Sequence, residues 1–320
     1  MHFSSIPEAY APVGAPLRYT LAGGSAAQTV VRILAAGERL LGSKRFTEPH
    51  PISFDIAPYL RAALRFVPRA GRTGILAADD RVVKVVVEAT NGAESVRSLA
   101  RSFTAAEQPV ERPALLTTMP TNRLIAPDGC DELTLLAAAP QLITVTAEQG
   151  DTVAAESYAV PASGFYRFRL AAADFPEAER LTVDLGPCGS VGYTVLPAPE
   201  GAQTVAWRSR AGSLEHYTFP VVQRVGLSVA KRRACGADGV VAHAVSREEL
   251  VELQAAYETP AVCAGLADLL AAEQAWWVDA SGYRPIDIVT EQSELHRHGS
   301  MRAPVITVRS TLQNEPLWSC

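Results

Sequence analysis

The sequence predicts a mainly β protein of two to three β-sandwich-like domains, the last of them α+β with one or two helices. Three observations predict this fold. Short runs rich in β-branched residues recur along the chain, turn signals separate them, and two proline-containing stretches divide the chain. The length of 320 residues suits two or three domains of roughly 150 residues or fewer each.

The strand signals are clearest in five runs, at residues 81–88, 142–146, 165–170, 191–196 and 305–308. The third run alternates in character. Tyr166, Phe168 and Leu170 are therefore predicted to face a core, whereas Arg167 and Arg169 are predicted to face water.

Two stretches are typical of linkers. Residues 107–113 are polar with two prolines, and residues 197–201 are shorter and stiffer because each proline fixes φ. Division there predicts an N-terminal β-sandwich-like domain, a middle β-sandwich-like domain and a C-terminal α+β domain. Their predicted ranges are 1–108, 109–199 and 200–320.

The C-terminal domain carries the helix signals. Ser246 and Glu249 form a capping box, in which each side chain can satisfy the backbone amide of the other. This predicts a helix over the following apolar residues, limited by Pro260. A second helix is predicted over 261–273, with one apolar face made by Val262, Leu266, Leu269 and Leu270.

Composition narrows the class of protein. Hydrophobic residues make up 48% and charged residues 20% of the chain, which is globular composition. The net charge of −5 argues against a nucleic-acid partner, and we interpret the basic run 231–233 as a solvated loop. No apolar run is long enough to span a membrane. The N-terminus has no signal-peptide pattern, so synthesis in the cytoplasm is expected.

The five cysteines are odd in number and widely spaced, which favours free thiols in a reducing compartment. A disulfide between Cys235 and Cys263 is the alternative. The three remaining cysteines are Cys130, Cys188 and Cys320.

No nucleotide-binding, nucleophile-elbow, zinc-protease or calcium-loop motif occurs in the sequence. His296 and His298, with Glu294, are the only local metal candidate, and an exposed loop is the favoured interpretation. The paired carboxylates at 79–80, 131–132 and 248–249 are predicted to lie on solvated surface. We therefore expect no enzymatic activity, no catalytic residues, no metal and no cofactor.

Aromatic residues cluster in the C-terminal third and are the candidate interface or ligand platform. Trp207 is expected in a core or between domains. Trp276 and Trp277 would face opposite sides of a strand, so at most one is expected in a core, with the other exposed near Tyr283. The full candidate set is Trp207, Tyr217, Phe219, Trp276, Trp277 and Tyr283.

Several segments, in order, resemble the tail or baseplate structural proteins of phages and prophages of the Bacteroidetes lineage. They are the opening at 6–19, the strand and aspartate at 52–60, and the late helix followed by a tryptophan strand and the segment 285–288. The most distinctive is 206–219, in which Trp207 precedes a turn at Gly212 and an aromatic-Thr-Phe strand. Ser209 stands where asparagine is commoner in that family.

The resemblance implies a non-enzymatic structural subunit of a tail tip, baseplate or prophage particle. Its expected partners are other tail or baseplate subunits, with homo-oligomers in the assembly and localisation in the particle. The alternative is a carbohydrate-binding or adhesion β-sandwich protein of a gut bacterium, for which a glycan would be the ligand.

Overall fold

The computed structural model describes residues 1–24, 28–47, 50–92, 94–236, 239–293 and 303–310. It confirms a mainly β, multi-domain, sandwich-like architecture. Within these residues no helix is long and apolar enough to cross a membrane.

The described part of residues 1–108 folds as a sandwich of two sheets with one short helix. In chain order its elements are β1 (His2–Ser5), β2 (Arg18–Ala22), β3 (Thr29–Ala35), β4 (Leu40–Phe46), β5 (Ile52–Asp55), α1 (Ala57–Ala63), β6 (Gly74–Ala77), β7 (Val82–Thr90), β8 (Ser95–Arg97) and β9 (Arg101–Thr104).

The sheet β1-β2-β5 packs against the sheet β4-β3-β7-β8, with β9 pairing to β7. Tyr19 and Phe54 of the first sheet meet Val31 and Val87 of the second in a shared core. The strand predicted over 81–88 is present as β7, and its period-2 alternation buries every second residue.

Residues 109–199 form a second sandwich. Its strands are β10 (Ala114–Leu116), β11 (Asn122–Ile125), β12 (Cys130–Ala137), β13 (Gln141–Gln149), β14 (Thr152–Val160), β15 (Gly164–Ala171), β16 (Arg180–Asp184) and β17 (Ser190–Val195). One sheet has the order β10-β12-β15-β6, and the other has the order β11-β17-β16-β13-β14.

The middle core lies between these sheets, where Leu135 and Phe168 face Val145 and Leu181. Strand β6 comes from the N-terminal segment but pairs with β15. A strand of the N-terminal segment is therefore part of the second sandwich. The domain boundaries at 108 and 199 stay a prediction.

The described part of residues 200–320 is α+β, as predicted. Its elements are β18 (Gln203–Arg208), β19 (Leu214–Phe219), β20 (Val221–Gly236), β21 (Gly239–Gln254), α2 (Pro260–Leu270), β22 (Ala275–Asp279), β23 (Gly282–Ile288) and β24 (Val305–Ser310). The strands form one sheet with the order β19-β18-β22-β23-β24-β21-β20.

Helix α2 covers one face of this sheet and confirms the predicted second helix. Leu266 and Leu269 pack there on Trp207 and Phe219. Thr259 caps the helix by accepting from the amide of Val262. The opposite face of β18, β19 and β22 joins the N-terminal core through Ala206, Leu214 and Trp276, so this part of the sheet is covered on both sides.

The helix predicted to begin at Ser246 is wrong. These residues belong to β21, where Ser246 pairs with Ala230 and Glu249 with Leu227. The capping box is a local signal, and here the ladders to β20 and β24 outweigh it because they satisfy the same backbone groups over a longer run.

Two further expectations are corrected. Arg167 and Arg169 are buried rather than solvated. The alternative disulfide is wrong, since Cys235 and Cys263 are both free thiols, as are Cys130 and Cys188. Cys320 lies outside the described residues.

Candidate functional site: a projecting hairpin and a buried ionic network

The most prominent surface feature is the long hairpin made by β20 and β21, each of 16 residues. Strand β24 pairs with β21 only between Leu250 and Gln254. Beyond Leu250 no third strand of the described chain joins the pair. Residues 226–236 and 239–250, named here the arm, project as a two-stranded ribbon of roughly 30 to 35 Å.

The sequence favours this ribbon because β-branched residues recur along both strands. Gly239, with φ of +102°, lies at the turn end of the second strand, in a conformation that favours glycine. Register shifts between Val222 and Arg224 and between Arg232 and Arg233 interrupt the ladder. Such irregularities bend a strand and increase its twist.

The arm exposes several large apolar side chains. Leu227 is 64% exposed and Val240 is 65% exposed. Leu227 and Val229 share one face of the ribbon with Val245, because directly paired residues point to the same side. The exposed apolar residues of the arm are Leu227, Val229, Val240, Val241 and Val245.

An isolated two-stranded hairpin is marginally stable in water, and clustered exposed apolar groups mark an interaction surface. The outer half of the arm is also basic, since Lys231, Arg232 and Arg233 follow one another in β20. Within the described part of the chain none of the three forms an ion pair.

A second feature is internal: a buried ionic network joins the three segments. Glu132, at the start of the middle sandwich, is 1% exposed, and Arg81 of the N-terminal segment is fully buried. Arg81 Nη2 donates to Glu132 Oε1 over 2.6 Å, and its Nη1 donates to Asp80 over 2.6 Å. Arg167 Nη1 completes this group at 3.5 Å from Glu132.

The Arg81 side chain also stacks on an aromatic ring. Its guanidinium carbon lies 3.6 Å from the centroid of the Phe66 ring, a cation–π contact. Burial lowers the pKa of Arg81, against the opposing effects of Glu132 and Asp80. The pair is stabilising only while both partners remain, because an unpaired buried charge is costly.

The second centre of the network is Asp131. Arg123 Nη1 donates to it over 2.7 Å, and the Tyr193 hydroxyl donates over 2.9 Å. His216 Nδ1, from the C-terminal sheet, lies 3.1 Å from the other oxygen. Burial alone would raise the pKa of Asp131, but Arg123 and His216 hold it well below its ordinary value.

Glu215, the neighbour of His216, ties the same centre to the C-terminal hairpin. It accepts from Ser213 over 2.6 Å, from Thr117 over 3.0 Å and from the amide of Thr118 over 3.1 Å. Arg123 lies 3.3 Å from it. Each of these contacts except that from Ser213 crosses from the middle segment to the C-terminal one.

Tyr283 lies at the edge of the network, beside the Asp131 centre. Its hydroxyl accepts from Arg169 over 2.8 Å and lies 2.9 Å from His216 Nε2 and 3.7 Å from Cys130 Sγ. Burial raises the pKa of both the Tyr283 hydroxyl and the Cys130 thiol. Neither group is thereby activated as a nucleophile at neutral pH.

The network joins the three segments through buried charged groups. Arg81, Arg123 and Arg167 pair with Asp80, Asp131, Glu132 and Glu215, whereas Arg169 donates to the Tyr283 hydroxyl. The charges are buried and directed at each other. Within the described residues no cluster of side chains could hold a metal ion. Glu294, His296 and His298 lie outside these residues.

The sequence prediction missed this network because paired carboxylates are usually solvated. Asp131 and Glu132 were predicted to lie on solvated surface, and both are buried. The sequence did contain a signal for it. Arg167 and Arg169 lie on β15, the strand that pairs with the Asp131–Glu132 strand β12. The position of His216 beside Asp131 depends on how the third sheet docks, which no local pattern shows.

The six candidate aromatic residues lie in two internal places. Trp207 and Phe219 are fully buried in the C-terminal core, with Tyr217 partly buried beside them. The Tyr217 and Phe219 rings meet edge to face, 4.9 Å apart. Trp207 therefore occupies a core, as expected, and the three residues pack across the hairpin β18–β19.

Trp276 and Trp277 face opposite sides of β22, but both pack against a core. Trp276 is buried in the N-terminal core, and Trp277 packs partly buried on the C-terminal one. Only Trp276 is a buried core residue, in agreement with the expectation that at most one would be. The expected exposure of the other is not seen, because Trp277 is partly buried on the C-terminal core. Trp276 thus lies at an interface inside the chain. A ligand role for Trp277, Tyr217 and Tyr283 stays a prediction.

Comparison with known proteins identifies no family. No protein-family model and no curated protein matches the sequence. Among solved structures, "Crystal structure of Dpr2 Ig1-Ig2 in complex with DIP-Theta Ig1-Ig3" is 11% identical, covers 61% of this chain and 98% of that chain, and has a TM-score of 0.17.

A second structure, "Structural insight into host cell surface retention of a 1.5-MDa bacterial ice-binding adhesin", is 12% identical. It covers 76% of this chain and 86% of that chain, with a TM-score of 0.16. Scores this low carry no argument about function. The functional conclusion therefore depends on the arm, on the network and on the resemblance in the sequence.

Proposed function

We propose that this protein is a non-enzymatic assembly subunit that forms a multi-copy particle, such as the tail tip or baseplate of a phage-like or prophage particle. The observation that supports this most is the arm, a projecting ribbon with exposed Leu227, Val229, Val240, Val241 and Val245. A ribbon of this kind gains its stability when a neighbour covers it.

The buried ionic network supports the same proposal. It joins Arg81, Glu132 and His216 from three segments through short contacts. A subunit that transmits force or holds its neighbours in register benefits from segments that do not move against each other. The directional pairing of charges fixes their relative orientation, a role that buried ionic groups fill in some proteins.

The experiment is the solution mass of the purified chain by light scattering over at least a tenfold range of concentration. We expect the mass to rise from that of one chain, 34.1 kDa, towards a multiple of it. The variant Leu227→Lys/Val229→Lys should stay at the mass of one chain, because it places charges in the surface that becomes buried.

The matched control is Leu99→Lys, at a side chain that is 66% exposed on the N-terminal segment. It should associate like the unmodified chain. A chain that stays monomeric at every concentration would overturn the proposal. Retention of that monomer on a glycan array would then favour the carbohydrate-binding alternative.

A further inference from the structure

The middle sandwich has an open edge at β14. This strand is the last in its sheet and pairs with β13. Residues 152–157 are all exposed, including Val153 at 63%. An edge strand presents unpaired backbone donors and acceptors to any second strand of suitable shape. The arm offers such a strand, because β20 is the last strand of the seven-stranded sheet.

The two edges carry opposite charge. Asp151 immediately precedes β14 and Glu156 lies on it, whereas Glu148 lies on the neighbouring inner strand β13. No lysine or arginine occurs between residues 141 and 166. Glu148 also lies 3.9 Å from Arg180. The arm presents Lys231, Arg232 and Arg233 in succession. Such complementarity steers association and suppresses pairing of like edges.

We propose that the arm of one copy docks on β14 of a second copy, with the outer part of β20 lying beside the β14 edge. Leu227 and Val229 are then covered by the neighbouring sandwich. This inference rests on the proposed assembly role and names the surface that receives the arm.

The charges also determine the orientation of the two strands. The basic residues lie at the outer end of β20, and Asp151 immediately precedes β14. Antiparallel pairing brings these ends together, whereas parallel pairing places Lys231–Arg233 towards Val160. Addition of a strand to an exposed sheet edge is a recurring mode of recognition.

The arm and β14 are different surfaces, so the contact is heterologous. Each copy offers one arm and one acceptor edge, and repetition of the contact produces a ring or an open helical array. The segments that carry the two surfaces are joined inside each copy by the ionic network. The network thereby fixes the orientation of the arm relative to β14 within each copy.

A charge exchange tests this pairing. The tip variant is Lys231→Glu/Arg232→Glu/Arg233→Glu, and the edge variant is Glu148→Lys/Asp151→Lys/Glu156→Lys. Each variant alone places like charges on both surfaces. We expect its dissociation constant for self-association to be at least about tenfold higher than that of the unmodified chain. An equimolar mixture restores opposite charges at every contact. We expect it to associate within about threefold of the unmodified chain.

The failures are distinguishable. If Leu227→Lys/Val229→Lys prevents assembly while both charge variants associate normally, the assembly role stands and β14 is not the acceptor. A mixture that stays monomeric also overturns the pairing. If the unmodified chain never associates, the proposed function fails together with this inference.

Cross-linking tests the orientation. Cys235 is an exposed free thiol at the outer end of the arm. Oxidation should link it to a cysteine introduced as Thr152→Cys, near the start of β14, and not to one introduced as Ala159→Cys, near its end. Adding Cys235→Ser should abolish the link. Linkage through Ala159→Cys alone, or through neither position in an assembled sample, would overturn antiparallel docking on this edge.

Discussion

At the scale of single residues, the stability of the chain depends on buried charges that have partners. Arg81 and Glu132 lie on different segments and are both removed from water. The attraction between them has to offset a large desolvation cost. The loss of one partner is therefore expected to matter more than the loss of many surface contacts.

We predict that Arg81→Met lowers the free energy of unfolding by about 3 to 5 kcal/mol, because Glu132 remains buried with only the longer contact to Arg167. Urea unfolding followed by tryptophan fluorescence measures this change. The control is Arg284→Met, which breaks an exposed pair with Asp279 and should cost under about 1 kcal/mol. Equal effects of the two substitutions would contradict the role given to the network.

Asp131 should make stability sensitive to acid. Its folded pKa is depressed below the ordinary value of 3.8, so the unfolded chain binds more protons as the pH falls. The stabilisation of the folded state by ionised Asp131 is fully present above about pH 5 and is lost progressively as the pH falls below about 4. Asp131→Asn should lower stability at pH 7 and flatten the dependence of stability on pH below about 4.

Urea titrations at several pH values from 7 to 3 check this prediction. Asp151→Asn, at an exposed position, is the control and should retain the pH dependence of the unmodified chain. An unchanged acid profile in Asp131→Asn would show that other groups determine it.

At the scale of elements, the turn between β18 and β19 and its contact with the N-terminal segment both depend on Gly212. Its φ is +77°, and a Cβ there would lie 2.7 Å from the backbone nitrogen of Ala106. The turn between β18 and β19 thus meets the end of the N-terminal segment. The amide of Glu107 donates to the carbonyl of Arg210 over 2.8 Å beside it.

We predict that Gly212→Ala costs at least about 2 kcal/mol, since it adds a steric clash to the cost of a left-handed backbone. Gly150→Ala is the matched control, because Gly150 has φ of +51° with open space around it. It should cost about 1 kcal/mol. Thermal or urea unfolding of both variants compares them, and equal costs would mean that the contact with Ala106 contributes little.

The elements also show which parts of the fold the sequence can predict. Strands such as β7 and β13 were predicted because alternation and β-branched residues are local properties. Helix α2 was predicted because the spacing of the apolar residues on its face is also a local property. Two predictions failed because contacts between residues distant in sequence determine the structure there. Ser246 lies in a strand that pairs with Ala230, and Arg167 is buried in an ion pair with Glu132.

At the scale of the whole molecule, two sandwiches and a doubly covered sheet form one frame from which the arm projects. The mainly β, sandwich-like architecture was predictable from the strand runs and the turn signals between them. The strand β6 in the middle sheet and the network were not, because each depends on docking between segments. The arm was missed because the capping box at Ser246 predicted a helix where β21 lies. These are also the features on which the proposed assembly depends.

Hydrogen exchange in the arm tests the central proposal most directly. Amides of residues 226–236 and 239–250 should exchange quickly in a dilute sample of the unmodified chain, because a two-stranded ribbon opens easily. In a concentrated sample we predict that the same amides become protected while those of the middle core stay unchanged. Identical exchange of the arm at both concentrations would contradict the proposal that a second copy covers it.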